Sequence, residues 1–68
     1  MIEYSNSNIA YIIDEFIHNQ LHRDILKSRF IDGLTYEQLA EKNDRSVKNI
    51  KDIIKINEYT VFKNLEVL

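Results

Sequence analysis

The sequence has no cysteine, no proline and a single glycine among its 68 residues. Without cysteine, neither a disulfide nor a thiolate metal site can hold the chain together, so a domain this small depends on efficient packing or on a partner. The scarcity of proline and glycine, together with 44% apolar residues, excludes the composition of a disordered tail. We therefore expect residues 1–68 to form one folded domain.

Long apolar runs are also missing, as is the basic and apolar start of a secretory signal. No run approaches the roughly 20 apolar residues that a helix needs to span a bilayer. These two absences predict a soluble, cytoplasmic protein with no membrane partner.

Lysine and arginine are absent from residues 1–22, which carry a local charge of −3, although the whole chain has a formal charge of only −2. Residues 45–63 contain five basic and two acidic side chains, a local charge of +3. The overall acidity argues against a nucleic-acid partner. The uneven distribution favours one, because it concentrates basic residues in a single segment.

Apolar residues recur at helical spacing along the chain, which predicts an all-α fold. The first stripe contains Ile9, Ile12, Ile13, Phe16 and Ile17, and the second contains Leu21, Ile25, Leu26 and Phe30. We predict a four-helix domain that contains a helix-turn-helix and ends in a long helix, with helices at about 7–19, 21–32, 35–42 and 46–66.

Capping residues predict where these helices begin and end. Ser7 is a suitable N-cap for the first helix, and Gly33 supplies the left-handed residue that commonly ends a helix. Thr35 and Gln38 have the spacing of a capping box, in which each residue binds the other's backbone amide. Ser46 is the next N-cap candidate.

The last segment allows two interpretations. The inward positions Ile50, Ile53, Ile54, Asn57, Val61, Leu65 and Leu68 step by threes and fours, which favours one continuous helix. Residues 59–62 are β-favouring, but an isolated strand would have no partner. The apolar stripe from Val61 to Leu68 is expected to join the core, and a homodimer through residues 57–68 is the open alternative.

Two short helices joined by three or four residues cross steeply, so the second can project into a DNA major groove while the first braces it. The stretch RDILKSRFIDGLTYEQLAEKNDRSVKNI resembles the fourth region of sigma-70 family factors and related response-regulator output domains. Small stand-alone DNA-binding proteins of phages and Firmicutes look closer still, through DGLTYEQLAE and SVKNIKDI. The positions that match are Arg23, Ile25, Leu26, Gly33-Leu34-Thr35, Glu37, Leu39-Ala40-Glu41, Ser46 and Ile50.

This resemblance covers roughly residues 20–55 and implies a double-stranded DNA-binding transcriptional regulator. The chain departs from the family pattern in the turn, where Asn43, Asp44 and Arg45 replace the usual Leu-Gly-Val. Asn43 or Asp44 can adopt the left-handed conformation that the family assigns to glycine. Arg45 is then available for a phosphate instead of the core.

The predicted interface has two sets of residues. Groove-facing side chains whose amide, ammonium, carboxylate or methyl groups can read base edges are Val47, Lys48, Asn49, Lys51 and Asp52. Side chains that would contact phosphates and position the protein are Arg23, Arg29, Thr35, Tyr36, Arg45, Ser46 and Lys55.

Other functions have weaker support. A protein-interaction module that docks on RNA polymerase or another protein is the alternative, motivated by the acidic first helix and the modest basic face. His18 and His22 have the i, i+4 spacing of a zinc pair, but no third ligand is evident, so we expect no metal or other cofactor. With no nucleophile–base pair and no glycine-rich phosphate loop, we do not expect an enzyme.

Overall fold

The computed structural model describes residues 5–66, which form four α-helices and no strand. These helices are α1 (Asn6–Phe16), α2 (Gln20–Phe30), α3 (Tyr36–Asn43) and α4 (Val47–Glu66). The predicted all-α class and the long last helix are confirmed, and α4 runs through residues 59–62 without a break. Leu68, predicted to point inward, lies outside the described residues.

The ends of α1 differ from the prediction. Ser5, not Ser7, is the N-cap, and its side chain accepts a hydrogen bond from the Asn8 amide at 3.1 Å. The helix ends at Phe16 instead of residue 19 because Asn19 is needed as the N-cap of α2, where it accepts from the His22 amide. An N-cap residue has extended backbone angles, so the first helix has to end before it.

The turn between α2 and α3 uses the only glycine. α2 ends at Phe30, two residues before the predicted residue 32, and Ile31 is its C-cap. Gly33 has the predicted left-handed conformation, with φ +73°, but it lies in the turn beyond the cap and does not itself end the helix. The Leu34 amide donates to the Ser28 carbonyl at 3.1 Å, and the Arg29 side chain donates to the Leu34 carbonyl at 2.8 Å. These bonds hold the turn against the end of α2.

The predicted capping box at the start of α3 is confirmed. The Thr35 side chain accepts from the Gln38 amide at 3.1 Å, and the Thr35 amide donates to the Gln38 side chain at 2.8 Å. At the other end of α3, Asp44 has φ 54° and ψ 50°, so it takes the left-handed position without a glycine. Asp tolerates this conformation better than most residues because its short polar side chain can hydrogen-bond locally.

The core lies between α4 and the other three helices, and α4 contacts all three of them. The largest fully buried side chains are Ile12, Ile13, Ile25, Leu26, Leu39, Ile50 and Val61. Val61 and Leu65 are thus part of the chain's own core, as expected for the apolar stripe that begins at Val61. Phe16 shares the α1 stripe in sequence but is 42% exposed at the helix end.

Polar contacts between helices complete the packing. Lys42 of α3 donates to the buried hydroxyl of Ser28 in α2 at 3.1 Å, and Lys27 of α2 pairs with Asp14 of α1 at 2.6 Å. The rings of Phe30 and Phe62 meet edge to face with centroids 5.2 Å apart.

Within residues 5–66, no helix combines the length and apolarity needed to cross a membrane.

Candidate nucleic-acid interface

The first turns of α4 pack against α3 and the core on one side and expose Lys48, Lys51 and Asp52 on the other. Only three residues connect the two helices. Within that connection the Arg45 amide donates back to the Ala40 carbonyl at 2.9 Å, which closes the turn. Leu39 of α3 and Ile50 of α4 are both fully buried in the core, where α3 and α4 pack against each other. The opposite side of α4 is left facing solvent.

The predicted base-contact residues divide by exposure. Lys48, Lys51 and Asp52 are exposed, and Asn49 is half-buried. Val47 is also half-buried and packs against the core, so less of its side chain is available to a partner than the sequence suggested. The exposed part of this face is therefore made mainly of long polar side chains.

Two contacts within this surface tie these residues to their neighbours. Lys48 Nζ lies 3.4 Å from the Asp52 carboxylate one turn along α4, and Arg45 donates to the Asn49 side chain at 2.9 Å. Both contacts are on the surface, where pairs of this kind contribute roughly 0–1 kcal/mol. A polyanionic ligand could replace them at little cost.

The caps of α3 and α4 lie next to this face. The Ser46 hydroxyl accepts from the Asn49 amide at 3.1 Å, which confirms Ser46 as the N-cap of α4. The Thr35 hydroxyl has the matching role at α3. Each hydroxyl keeps its own proton as a donor, and each first turn retains amides without an intrahelical partner.

Tyr36 is the residue at which one predicted phosphate contact, Arg29, meets one predicted base contact, Lys51. The Arg29 guanidinium carbon lies 4.4 Å from the centre of its ring, and Lys51 Nζ lies 5.4 Å from the same point. Both distances are within the range of a cation–π contact. Three helices thus bring two cations and one phenol hydroxyl to a single place.

An open cleft beside Tyr36 extends this group along α4. Its lining is formed by Tyr36, Lys51, Ile54, Lys55 and Glu58. Sequence reasoning identified Lys51 and Lys55 but missed Ile54 and Glu58. The sequence does contain a pattern that identifies Glu58: Lys51, Lys55 and Glu58 are spaced by four and three residues, so they share one face of a helix. Glu58 places a negative charge at the end of the cleft.

Arg23 has a different role from the predicted phosphate contact. Its guanidinium donates to the carbonyls of Ile17 and His18 and to the Gln20 side chain. These bonds satisfy carbonyl groups at the end of α1 that have no helical partner. Arg23 therefore holds the junction between α1 and α2, and the structure does not bring it into the Tyr36 group.

His18 is exposed in the junction between α1 and α2, whereas His22 lies in α2. His22 Nδ1 lies 3.1 Å from Asn57 Nδ2 of α4, and Asn57 also donates to the Ile53 carbonyl at 2.8 Å. In the part of the chain that the structure describes, no group of three or more His, Asp or Glu side chains is placed to hold a metal ion.

The chain matches no protein-family model, no curated protein and no solved structure. The resemblance to the fourth region of sigma-70 factors therefore stays a prediction.

Proposed function

We propose that this protein binds double-stranded DNA and regulates transcription, with the amino-terminal half of α4 in the major groove. The observation that carries the proposal is the meeting of Arg29, Tyr36 and Lys51 beside the exposed face of the first turns of α4. A helix about 10–12 Å in diameter fits a groove about 12 Å wide. The Tyr36 group would then lie at the edge of the groove, where the phosphates are.

Phosphate contacts would come from the edge of this surface. Lys51 was predicted from the sequence as a base contact, but it lies with Lys55 along the cleft, so we assign both exposed lysines to the phosphates. The Tyr36 hydroxyl can also donate to a phosphate oxygen. Arg29 donates to the Leu34 carbonyl, so its main contribution would be to hold the Tyr36 ring and add positive charge near the phosphates. Arg45 and the hydroxyls of Thr35 and Ser46 are the remaining candidates.

Base reading would come from the first two turns of α4. Lys48 can reach guanine acceptors, Asn49 can pair with adenine, and Asp52 can accept from cytosine. Each would first have to leave its partner on the protein surface. We propose that the DNA is bound first through its phosphates and that these side chains rearrange afterwards.

The test is a titration of labelled duplex DNA, random and genomic, at low and physiological salt. The double variant Lys48→Ala/Lys51→Ala, which removes two cations from α4, should lose binding, whereas Lys27→Ala, which removes one cation from α2, should bind as the wild type does. Equal affinity of the double variant and the Lys27 control would refute the interface.

The second candidate is a module that docks on RNA polymerase or another protein without binding DNA. It draws on the exposed carboxylates of α1, Asp14 and Glu15, and on the small number of cations on α4. Such docking lacks the steep salt dependence that phosphate contacts produce. Absence of duplex binding even at low salt would favour this candidate.

A further inference from the structure

The outer face of α4 carries apolar side chains that the fold leaves exposed. Ile56 is 70% exposed and Tyr59 is 68% exposed, the two highest values among the large apolar residues described. Asp52 and Lys63 lie on the same face, because the four residues are spaced by four, three and four positions. At about 100° per residue this face is opposite the buried Ile50, Ile54 and Val61.

This spacing is that of a coiled-coil seam, in which a and d positions alternate. Ile56 and Lys63 would occupy a positions, and Asp52 and Tyr59 would occupy d positions. Asn49 and Glu66 continue the same series at the two ends of α4. Lys63 is already held on this face, since its Nζ lies 5.6 Å from the centre of the Tyr59 ring.

The order of residues along the face makes it complementary to itself. In an antiparallel pair with a two-fold axis between Asn57 and Glu58, Ile56 lies opposite Tyr59 of the second copy. In the same register Asp52 lies opposite Lys63 of the second copy, and this ion pair occurs twice. Each a position thus faces a d position, as antiparallel helix packing requires.

Other pairings of the same face are unfavourable. A parallel pair would place Asp52 opposite Asp52 and Lys63 opposite Lys63. An antiparallel pair centred on Tyr59 would place Asp52 opposite Glu66. Like charges across an interface are repulsive, so charge disfavours both of these pairings. Antiparallel registers shifted by one heptad would place the apolar Ile56 opposite Asp52 or Glu66.

We propose that two copies of this chain associate through Asp52, Ile56, Tyr59 and Lys63 of α4, in the antiparallel register centred between residues 57 and 58. This seam differs from the stripe of Val61 and Leu65, which the chain buries in its own core. It joins the residues that the fold exposes, and it adds a second copy to a domain too small to build a large core.

The dimer would be compatible with the phosphate contacts of the proposed DNA site, and this step rests on the proposed function. Asp52, paired with Lys63 of the second copy in the seam, would then not read a base. The two-fold axis is perpendicular to both helices. It places Lys51 of both copies on the same side of the plane that contains the two helix axes, because Lys51 lies about a quarter turn round α4 from the seam.

Sedimentation equilibrium of the full chain, without DNA, tests the pairing over micromolar to millimolar concentrations. The wild type should approach twice its 8.1 kDa mass as concentration rises. Lys63→Asp should raise the dissociation constant about tenfold or more, because it places two acidic pairs in the seam. Adding Asp52→Lys to that variant should restore the dimer with its charges exchanged.

Lys51→Asp is the matched control, since it makes the same charge change off the seam and should leave the dissociation constant unchanged. Circular dichroism checks that each variant keeps its helices. A wild type that stays monomeric throughout would overturn the proposal and leave this face to a different protein. So would a dimer that Lys63→Asp does not weaken. Neither result depends on DNA binding, which the duplex titration tests separately.

Discussion

Lys51 of α4 meets Tyr36 of α3, with its ammonium nitrogen 5.4 Å from the centre of the tyrosine ring. Arg29 of α2 approaches the same ring to 4.4 Å. Because the three residues come from three helices, their meeting depends on the tertiary fold. This arrangement differs from a row of lysines along a solvated helix, and the predictions about DNA begin from it.

Tyr36→Ala should weaken duplex binding more than Tyr36→Phe does. The alanine variant loses both the ring that holds Lys51 and the hydroxyl that can donate to a phosphate, whereas the phenylalanine variant loses only the hydroxyl. Cation–π contacts at exposed sites contribute roughly 0.5–1 kcal/mol, so a loss of a fewfold to tenfold in affinity is expected for alanine. Fluorescence anisotropy at one salt concentration measures both variants. An alanine variant that binds as tightly as the wild type would exclude Tyr36 from the interface.

Lys51→Ala should reduce the salt dependence of binding as well as its strength. Each phosphate contact contributes about 0.9 to the slope of log affinity against log salt, so the slope should fall by about one contact. Lys27→Ala removes a cation that pairs with Asp14 and should leave the slope unchanged. Affinities measured across a salt series give both slopes. Equal slopes for the two variants would contradict a phosphate contact at Lys51.

Gly33→Ala should lower the free energy of unfolding by about 1–2 kcal/mol. Gly33 has φ +73°, and a Cβ added there would meet no atom within 4 Å, so the cost comes from backbone strain and not from a clash. Gly33→Asn should cost less, because asparagine adopts this conformation more readily. Urea denaturation compares the two variants. A loss for asparagine as large as that for alanine would count against this explanation.

Ser46→Ala should lower the free energy of unfolding by about 1 kcal/mol, because the Asn49 amide loses its acceptor at the start of α4. Ser7→Ala makes the same chemical change within the first turn of α1, where Ser5 is the cap, and should cost much less. Thermal or urea unfolding of both variants checks the difference. Equal losses would show that the cap of α4 contributes no special stability.

Local sequence patterns predicted most of the fold. The capping box of Thr35 and Gln38, the left-handed Gly33 and the N-cap Ser46 all depend on residues within three or four positions of each other. The end of α1 was predicted wrongly because Asn19 and Arg23 form contacts that compete with the continuation of α1 beyond Phe16. Asn19 caps α2, and Arg23 from the next helix takes the carbonyls of Ile17 and His18.

The candidate site was predicted only in part. Exposure of Lys48, Lys51 and Asp52 follows from the period of α4 and could be derived from sequence. The grouping of Arg29 with Tyr36 could not, because it arises from the way the turn at Leu34 holds the guanidinium. Arg23 and Arg29 look alike in sequence, and only their contacts in the folded chain separate them.

The most direct test of the central claim is an NMR titration of the labelled protein with a short duplex. Backbone amides of Tyr36, residues 46–52 and Lys55 should shift most, while those of α1 and of the junction held by Arg23 should shift little. The shifts should reverse when salt is raised, because phosphate contacts weaken with salt. Shifts confined to α1, or no shifts at low salt, would contradict the proposal that α4 enters the major groove.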